Sequence, residues 1–248
     1  MRIVFWNILA GGGKRAEAIV TQIMAWQPAI VALSEYRITP PGQLIAKQLA
    51  QHGLSYQLTT ADPSSRARNT LLLASSFPLS TTHFSISPEP SHRWLLAKIQ
   101  TPLPFYIGVM HIPNMHTGLK YPYHDAVLSL TKKWKSGRGL LIGDTNSGIP
   151  DIDEESPAFT KKETRFMQGM EDNRWHDVFR YLHGQQRAYT WYSPRYKNGF
   201  RLDQAFVNRH LIQQVEAFQY VWGQAAGFRQ LSDHAAIVLD IDLPVSVP

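Results

Sequence analysis

Short apolar runs, each about one strand long, recur along this chain and are separated by segments of helical period. The strand-like runs are Ile3–Leu9, Ile30–Ser34, Thr70–Ser75, Trp94–Thr101, Phe105–Met110, Leu140–Gly143, Leu202–Val207, Val215–Val221 and Ala235–Ile241. Runs of this length, rich in Val, Ile, Leu and aromatics and bounded by turn residues, predict strands. Lys14–Gln27 places Ile19, Val20, Ile23 and Met24 on one face and is closed by Pro28, the spacing of an amphipathic helix. Gln43–His52 carries Leu44, Ile45 and Leu49 inward, with Gly53 in the C′ position. Tyr123–Lys135, Thr160–Glu171 and His176–Leu182 are further helical segments.

The order of these elements narrows the architecture. The opening strand, helix and strand predict a crossover unit, and the adjacent middle runs predict antiparallel hairpins. Together they predict an α/β fold of layered sheets and helices. Ser85–Ser91 and Thr145–Pro157 read as surface loops, not linkers, and no sequence repeat is present. The 248 residues therefore suit one domain spanning 1–248, with a sizeable core. The last residues, "LPVSVP", are expected to fray. The apolar opening is too short for a membrane span and lacks the marks of a signal peptide, so a soluble, cytoplasmic protein is expected, with a monomer as the default state.

Composition adds two constraints. There is no cysteine, which excludes disulfides and thiolate metal sites. Lys and Arg number 25 against 19 Asp and Glu, a formal charge of +6, and a basic excess suits an anionic partner such as nucleic acid. Basic residues cluster at Lys14-Arg15, Arg66–Arg68, Lys132-Lys133-Lys135, Lys161-Lys162 and Arg195–Lys197.

The candidate chemistry sits at the ends of the strand-like runs. Asn7 lies towards the end of the first run, Glu35, His111 and Asp144 with Asn146 follow later ones, and Asp233-His234 lead into the last. Loops at one edge of an α/β sheet converge, and sites gather there. Taken singly, each has a plain structural reading: Asn7 as a turn cap, Glu35 as an ion pair with Arg37, Asp144 and Asn146 as an Asx-turn, Asp203 as a partner of Arg201. Taken together they supply carboxylate and amide oxygens, the ligand set of a hard cation such as Mg²⁺ or Mn²⁺.

The segments "FWNILAG", "VALSEYR", "MHIPNMH", "LIGDTN", "GFRLDQAFV" and "SDHAAI", in that order, resemble the endonuclease/exonuclease/phosphatase superfamily. The likeness is greatest to exonuclease III-type apurinic/apyrimidinic (AP) endonucleases. The resemblance implies a DNase-I-like, four-layered α/β sandwich of two packed mixed sheets flanked by helices. It also implies a Mg²⁺-dependent (or Mn²⁺-dependent) phosphodiester hydrolase acting on double-stranded DNA, an AP endonuclease or 3′–5′ exonuclease of repair type. Under it, Glu35, Asn7 and Asp233 would hold the metal. Asp144, with Asn146, would orient or deprotonate water, and His234, held by Asp203, would contact the phosphate, although either Asp144 or His234 could serve as base. His111, Asn114 and Arg37 would add phosphate contacts, and Trp191, Phe200 and Leu202 would form the pocket for the sugar of an abasic nucleotide.

Some positions depart from that pattern. "SSRARNTLLLAS" replaces a Gly-rich strand start and leaves Arg68 and Asn69 as candidate phosphate contacts. His111 stands where the family has an aromatic, and Leu9 where some members have a carboxylate, which disfavours a second metal. Two alternatives follow: a phosphodiesterase or phosphatase for RNA, a phospholipid or a small molecule, and a non-catalytic binding module of the same fold.

Overall fold

In the computed structural model, which describes residues 1–244, the apolar runs become strands of two six-stranded mixed sheets. Strands β1 (Arg2–Asn7), β2 (Ile30–Tyr36), β3 (Tyr56–Thr59) and β4 (Thr70–Ser75) are followed by β5 (Leu79–Thr81), β6 (Trp94–Ile99), β7 (Phe105–His111) and β8 (Arg138–Asp144). Next come β9 (Trp175–Asp177), the two-residue pair β10 (Trp191–Tyr192) and β11 (Gly199–Phe200), then β12 (Asp203–Asn208), β13 (Val215–Val221) and β14 (Ala236–Ile241). One sheet runs β13-β14-β1-β2-β4-β3 and the other β5-β6-β7-β8-β12-β9. The α/β sandwich anticipated from the chain is the one observed.

Five helices cover the sheets: α1 (Ala16–Ala25), α2 (Pro40–Gln51), α3 (Lys120–Lys133), α4 (Lys161–Asp172) and α5 (Val178–His183). The expected crossover is present, since β1 and β2 pair in parallel with α1 between them. So is the hairpin of β6 and β7, which pair antiparallel. Alternate residues of the central strands form the layer between the sheets: Ile3 and Phe5, Ile107 and Val109, Leu140 and Ile142, Ala205 and Val207 are all fully buried there. The opposite parity packs against helices. Val4, Val31 and Leu33 meet α1 and α2, and Met110, Leu141 and Phe206 meet α3 and α4. Burial on both faces explains why these strands read as continuous apolar runs rather than as alternating ones.

Boundaries shift where local chemistry is decisive. Helix α2 begins at Pro40, not at Gln43, because Pro40 and Pro41 occupy its first turn, where a missing N–H costs nothing. Gly53 follows it at φ 92° as a left-handed C-terminal residue. The segment expected as a helix from His176 instead forms β9 on the edge of its sheet and turns helical at Val178, with Asp177 capping through a bond from the Arg180 N–H. Of the tail expected to fray, Leu243 and Pro244 are described and Val245–Pro248 lie outside the described residues. No helix among the described residues is long and apolar enough to cross a membrane.

Candidate active site

Strand register alone assembles the centre of the site. The parallel pairing of β7 with β8 sets His111 opposite Asp144, and the antiparallel pairing of β8 with β12 sets Asp144 opposite Asp203. Side chains paired across strands project from the same face. All three continue the parity that fills the inter-sheet core: His111 follows Ile107 and Val109, Asp144 follows Leu140 and Ile142, and Asp203 precedes Ala205 and Val207. Asn7 does the same after Ile3 and Phe5 on the facing sheet. The site is thus the polar end of the apolar layer, where the two sheets open.

Glu35 reaches it differently. By parity it belongs with Val31 and Leu33 on the helix-facing side. A β-bulge between Ser34 and Tyr36, with Glu35 at φ 56°, turns it away; bulges commonly re-aim a side chain in this manner. Its Oε2 accepts from the Ala10 N–H at 2.7 Å and its Oε1 lies 3.5 Å from the Asn7 amide. That amide also donates to Asp144 Oδ2 at 3.1 Å.

His234 is held on three sides. Ser232 Oγ donates to the Asn7 carbonyl at 2.5 Å and accepts from the His234 N–H at 3.2 Å. The Trp6 indole donates to the His234 carbonyl at 2.9 Å, and the ring Nδ1 bonds Asp203 Oδ2 at 2.8 Å. Its Nε2 then faces Asp144 Oδ2 at 3.9 Å, while His111 Nε2 approaches the same oxygen at 3.7 Å. Neither distance is a hydrogen bond, so neither Nε2 is tied to Asp144, and all three groups line the cleft.

The electrostatics separate these groups by role. Burial by itself would lower the pKa of His234. The charge and hydrogen bond of Asp203, with Asp144 and Asp233 nearby, outweigh it and push the ring up to about 10, so His234 is an imidazolium at neutral pH. Burial raises Asp144 to about 7; His234 opposes the rise, Asp203 adds to it, and the Asn146 N–H and Asn7 amide bonds hold it down. His111 stays neutral, because burial, reinforced by the charges of Arg93 and His234, lowers it well below its ordinary value.

Glu35, His111, Asn114, Asp144, Asn146, Asp233 and His234 line one cleft of about 550 Å³. Trp191, Phe200 and Leu202 form one of its walls, and Asn69 lies on its rim, hydrogen-bonded to Arg37 Nε at 2.6 Å. Asn7 and Asp203 lie just beneath the lining, bonded to Asp144 and His234. Arg68 is exposed and does not line the cleft. Two cations that the sequence does not single out do line it. Arg93 donates to the His111 carbonyl at 3.4 Å, and Lys120 forms a buried ion pair with Glu163 at 2.7 Å. No sequence signal marks Arg93; for Lys120 the signal is a lysine at helical spacing from Tyr123 and Val127 on the buried face of α3.

The donor set suits a hard divalent cation. Asp233 Oδ1 is buried without a hydrogen-bond partner, while its Oδ2 accepts from the Trp191 indole at 3.3 Å. Glu35 retains unused lone pairs, as does Asn7 Oδ1, which accepts only from the Leu9 N–H. Asp144, Asp203 and His234 also offer ligand atoms within 4.8 Å of one another. In that second group the Asp203–His234 hydrogen bond occupies Nδ1 of His234 and Oδ2 of Asp203, whereas Glu35, Asn7 and Asp233 each keep oxygen lone pairs that could hold a cation.

Known proteins match this chain over the span that contains these residues. The model of the endonuclease/exonuclease/phosphatase family matches residues 4–234, and the chain belongs to that family. It is a hydrolase of the phosphodiesterase and nuclease type. Among solved structures, the 3′ phosphatase NExo from Neisseria, bound to a product DNA hairpin, superposes with a TM-score of 0.82 at 19% identity, covering 98% of this chain and 100% of that one. An AP endonuclease from Archaeoglobus fulgidus gives 0.81 at 18% identity, and a 3′–5′ exonuclease, NExo, from Neisseria meningitidis gives 0.79 at 19%, both over 98% of this chain and 100% of theirs. These likenesses establish the DNase-I-like fold. A search of curated proteins gave no match.

Proposed function

We propose that the chain is a Mg²⁺- or Mn²⁺-dependent nuclease that hydrolyses a phosphodiester of double-stranded DNA, of the AP endonuclease and 3′–5′ exonuclease kind. The observation that carries this reading is the in-register row of His111, Asp144 and Asp203 beneath a charged His234. Two similar folds bear the names of an AP endonuclease and a 3′–5′ exonuclease, and a third was solved with product DNA, which favours nucleic acid over other phosphoesters.

In this mechanism Glu35, Asn7 and Asp233 would hold the cation, which would supply positive charge to offset that on the phosphoryl oxygens. Asp144 takes the proton of the attacking water. It faces the cleft, and burial raises its pKa to about 7, the range in which a general base works best. His234 has no lone pair to offer while it is protonated; its Nε2–H instead donates to a phosphoryl oxygen, with Asp203 fixing Nδ1–H. Asn146 is held by its own bond to the Ile112 carbonyl at 2.8 Å and presents its oxygen to the water. Arg93 adds positive charge on the His111 side, with Arg37 and Asn114 as further phosphate contacts. Trp191, Phe200 and Leu202 would receive the sugar beside the scissile phosphate.

The test is a duplex oligonucleotide carrying one abasic analogue, run beside an intact duplex, a duplex with a 3′-terminal phosphate and a chromogenic phosphodiester, each with and without chelator. Incision at the analogue, abolished by chelator, is the expected result. Release of 3′-phosphate alone moves the assignment to a terminal phosphatase, and hydrolysis of the small diester alone overturns the nuclease reading. Asp144→Ala should lower kcat by roughly 10²–10³ or more while the fold persists; near wild-type turnover overturns its role.

A further inference from the structure

The catalytic cleft ends at a wall formed by Trp191 and Asp233, joined by the indole bond of 3.3 Å. Beyond that wall lies a second cleft, of about 430 Å³, which shares those two residues and adds Tyr192, Trp222, Lys197 and Arg229. Tyr192 and Trp222 lie 5.9 Å apart between ring centroids and are inclined by only 32°. Tyr192 is 43% exposed, and Lys197 and Arg229 are exposed as well. The aromatic surface is anchored: a Cβ on Gly223 would lie 2.4 Å from the Trp6 ring, so the backbone after Trp222 sits directly on a fully buried core residue.

Two neighbouring aromatic rings, tilted by 32°, beside two exposed cations match one class of ligand. A nucleobase stacks on aromatic faces whatever its sequence, and the phosphate attached to it needs positive charge. We propose that this second cleft binds an unpaired nucleotide of the strand that continues past the scissile phosphate, its base on Tyr192 and Trp222 and its phosphate on Arg229 and Lys197. The nucleotide must be unpaired, because a base still in the duplex keeps its stacking partners. The Asp233 carboxylate on the wall directs the phosphate towards the cationic side. This inference rests on the nucleic-acid reading above and adds a preference for substrates with a single-stranded flank.

The probe is a short single-stranded oligothymidylate, titrated in chelator so that binding is read without cleavage, with protein tryptophan fluorescence as the signal. Trp222→Ala should weaken binding by about 5- to 150-fold, the equivalent of about 1–3 kcal/mol for one stacked base. Trp222→Phe should restore most of it. Arg229→Glu, which leaves the aromatic surface intact and so guards against a folding defect, should also weaken binding and should raise KM for a duplex with an unpaired flank more than for a blunt one. None of these variants should alter hydrolysis of the small diester. Wild-type affinity in both Trp222→Ala and Arg229→Glu overturns the second cleft and leaves the nuclease reading untouched. A wild-type protein that neither binds nor cuts any oligonucleotide while hydrolysing the small diester overturns both.

Discussion

Asp203 never reaches the cleft surface, yet the site depends on it. It is fully buried, and one of its oxygens, Oδ1, has no hydrogen-bond partner. The cost of burying that carboxylate is offset through the imidazolium of His234, whose Nδ1 it holds at 2.8 Å, a carboxylate fixing both the tautomer and the charge of a histidine. Asp203→Asn keeps the shape and removes the charge. It should lower kcat with the chromogenic diester by about 10²-fold or more, comparable with the loss of a transition-state donor, with KM changing far less. Full activity in a folded Asp203→Asn protein would show that His234 works uncharged. At this scale the sequence was informative where a residue closes a strand, because end-of-strand residues are forced to the sheet edge by register alone. It was silent on Arg93, whose place beside His111 results from the turn Ser91–Arg93 ahead of β6. It pointed to Arg68, which lies on an exposed turn, because the charge of an arginine says nothing of its direction.

Whole elements were legible when long and obscure when short. Thr70–Ser75, buried throughout, and Val215–Val221, a seven-residue edge strand with only Phe218 buried, both occupy the spans expected from their apolar and β-branched content. Strands β3, β5 and β9 were not anticipated; they are three or four residues long and lie at or next to sheet edges. Short edge strands carry too little periodicity to be distinguished from turns. Glu35 shows the same limit in reverse, since its bulge cannot be foreseen from an apolar run. Two buried polar clusters fix how helices sit on the sheets. Arg201, entirely buried, donates to Asp153 at 2.7 and 2.9 Å and to Asp177 at 3.2 and 2.6 Å, joining the loop after β8 to the start of α5. Arg180 pairs with Asp153 as well. Arg201→Met should cost about 3–5 kcal/mol in denaturant unfolding, because it strands buried carboxylates; a loss under about 1 kcal/mol would show that Arg180 compensates. On α3, His124 stacks on Phe166 at 4.1 Å and meets Ser147 Oγ at 3.0 Å. Burial, with Lys120 and Arg165 adding and Glu163 opposing, lowers its pKa from 6.5 to about 3. The folded state therefore binds fewer protons than the unfolded chain between those values, and stability falls as pH drops through that window, by at most about 1.4 kcal/mol per pH unit. Glu163 contributes in a lower range. Burial would raise it, but Lys120 and Thr160 hold it at about 2, so its contribution is present above about 4.5 and is lost as pH falls further. Between pH 6.5 and 4.5, then, His124→Gln should flatten the decline in stability, and an unchanged slope would show that His124 is not the group being protonated.

For the molecule as a whole, neither sheet owns the site. Asn7 and Glu35 come from one sheet, His111, Asp144 and Asp203 from the other, and His234 from the loop that leads back into the first. Packing of the two sheets therefore positions the chemistry, and the open end of their shared core is where an extended anionic strand can lie. Around that opening the cations are dispersed over Arg37, Arg93, Lys120, Lys197 and Arg229. Lys120 is neutralised by Glu163, and the net charge of the chain is only +6. Such an arrangement implies a modest number of phosphate contacts rather than a continuous basic groove. Each phosphate neutralised releases condensed counterions, so log K falls with log salt at about −0.9 per contact; three contacts give a slope of about −2.7, or about 40-fold weaker binding between 50 and 200 mM salt. Affinity for a duplex measured in chelator across that range should show a slope of this size. Arg93→Gln, at the catalytic cleft, and Arg229→Gln, at the second, should each reduce it by about one unit if each contacts one phosphate. A flat response would mean that the protein holds a single phosphate in the cleft and little else, which is the behaviour of an enzyme for a small phosphoester.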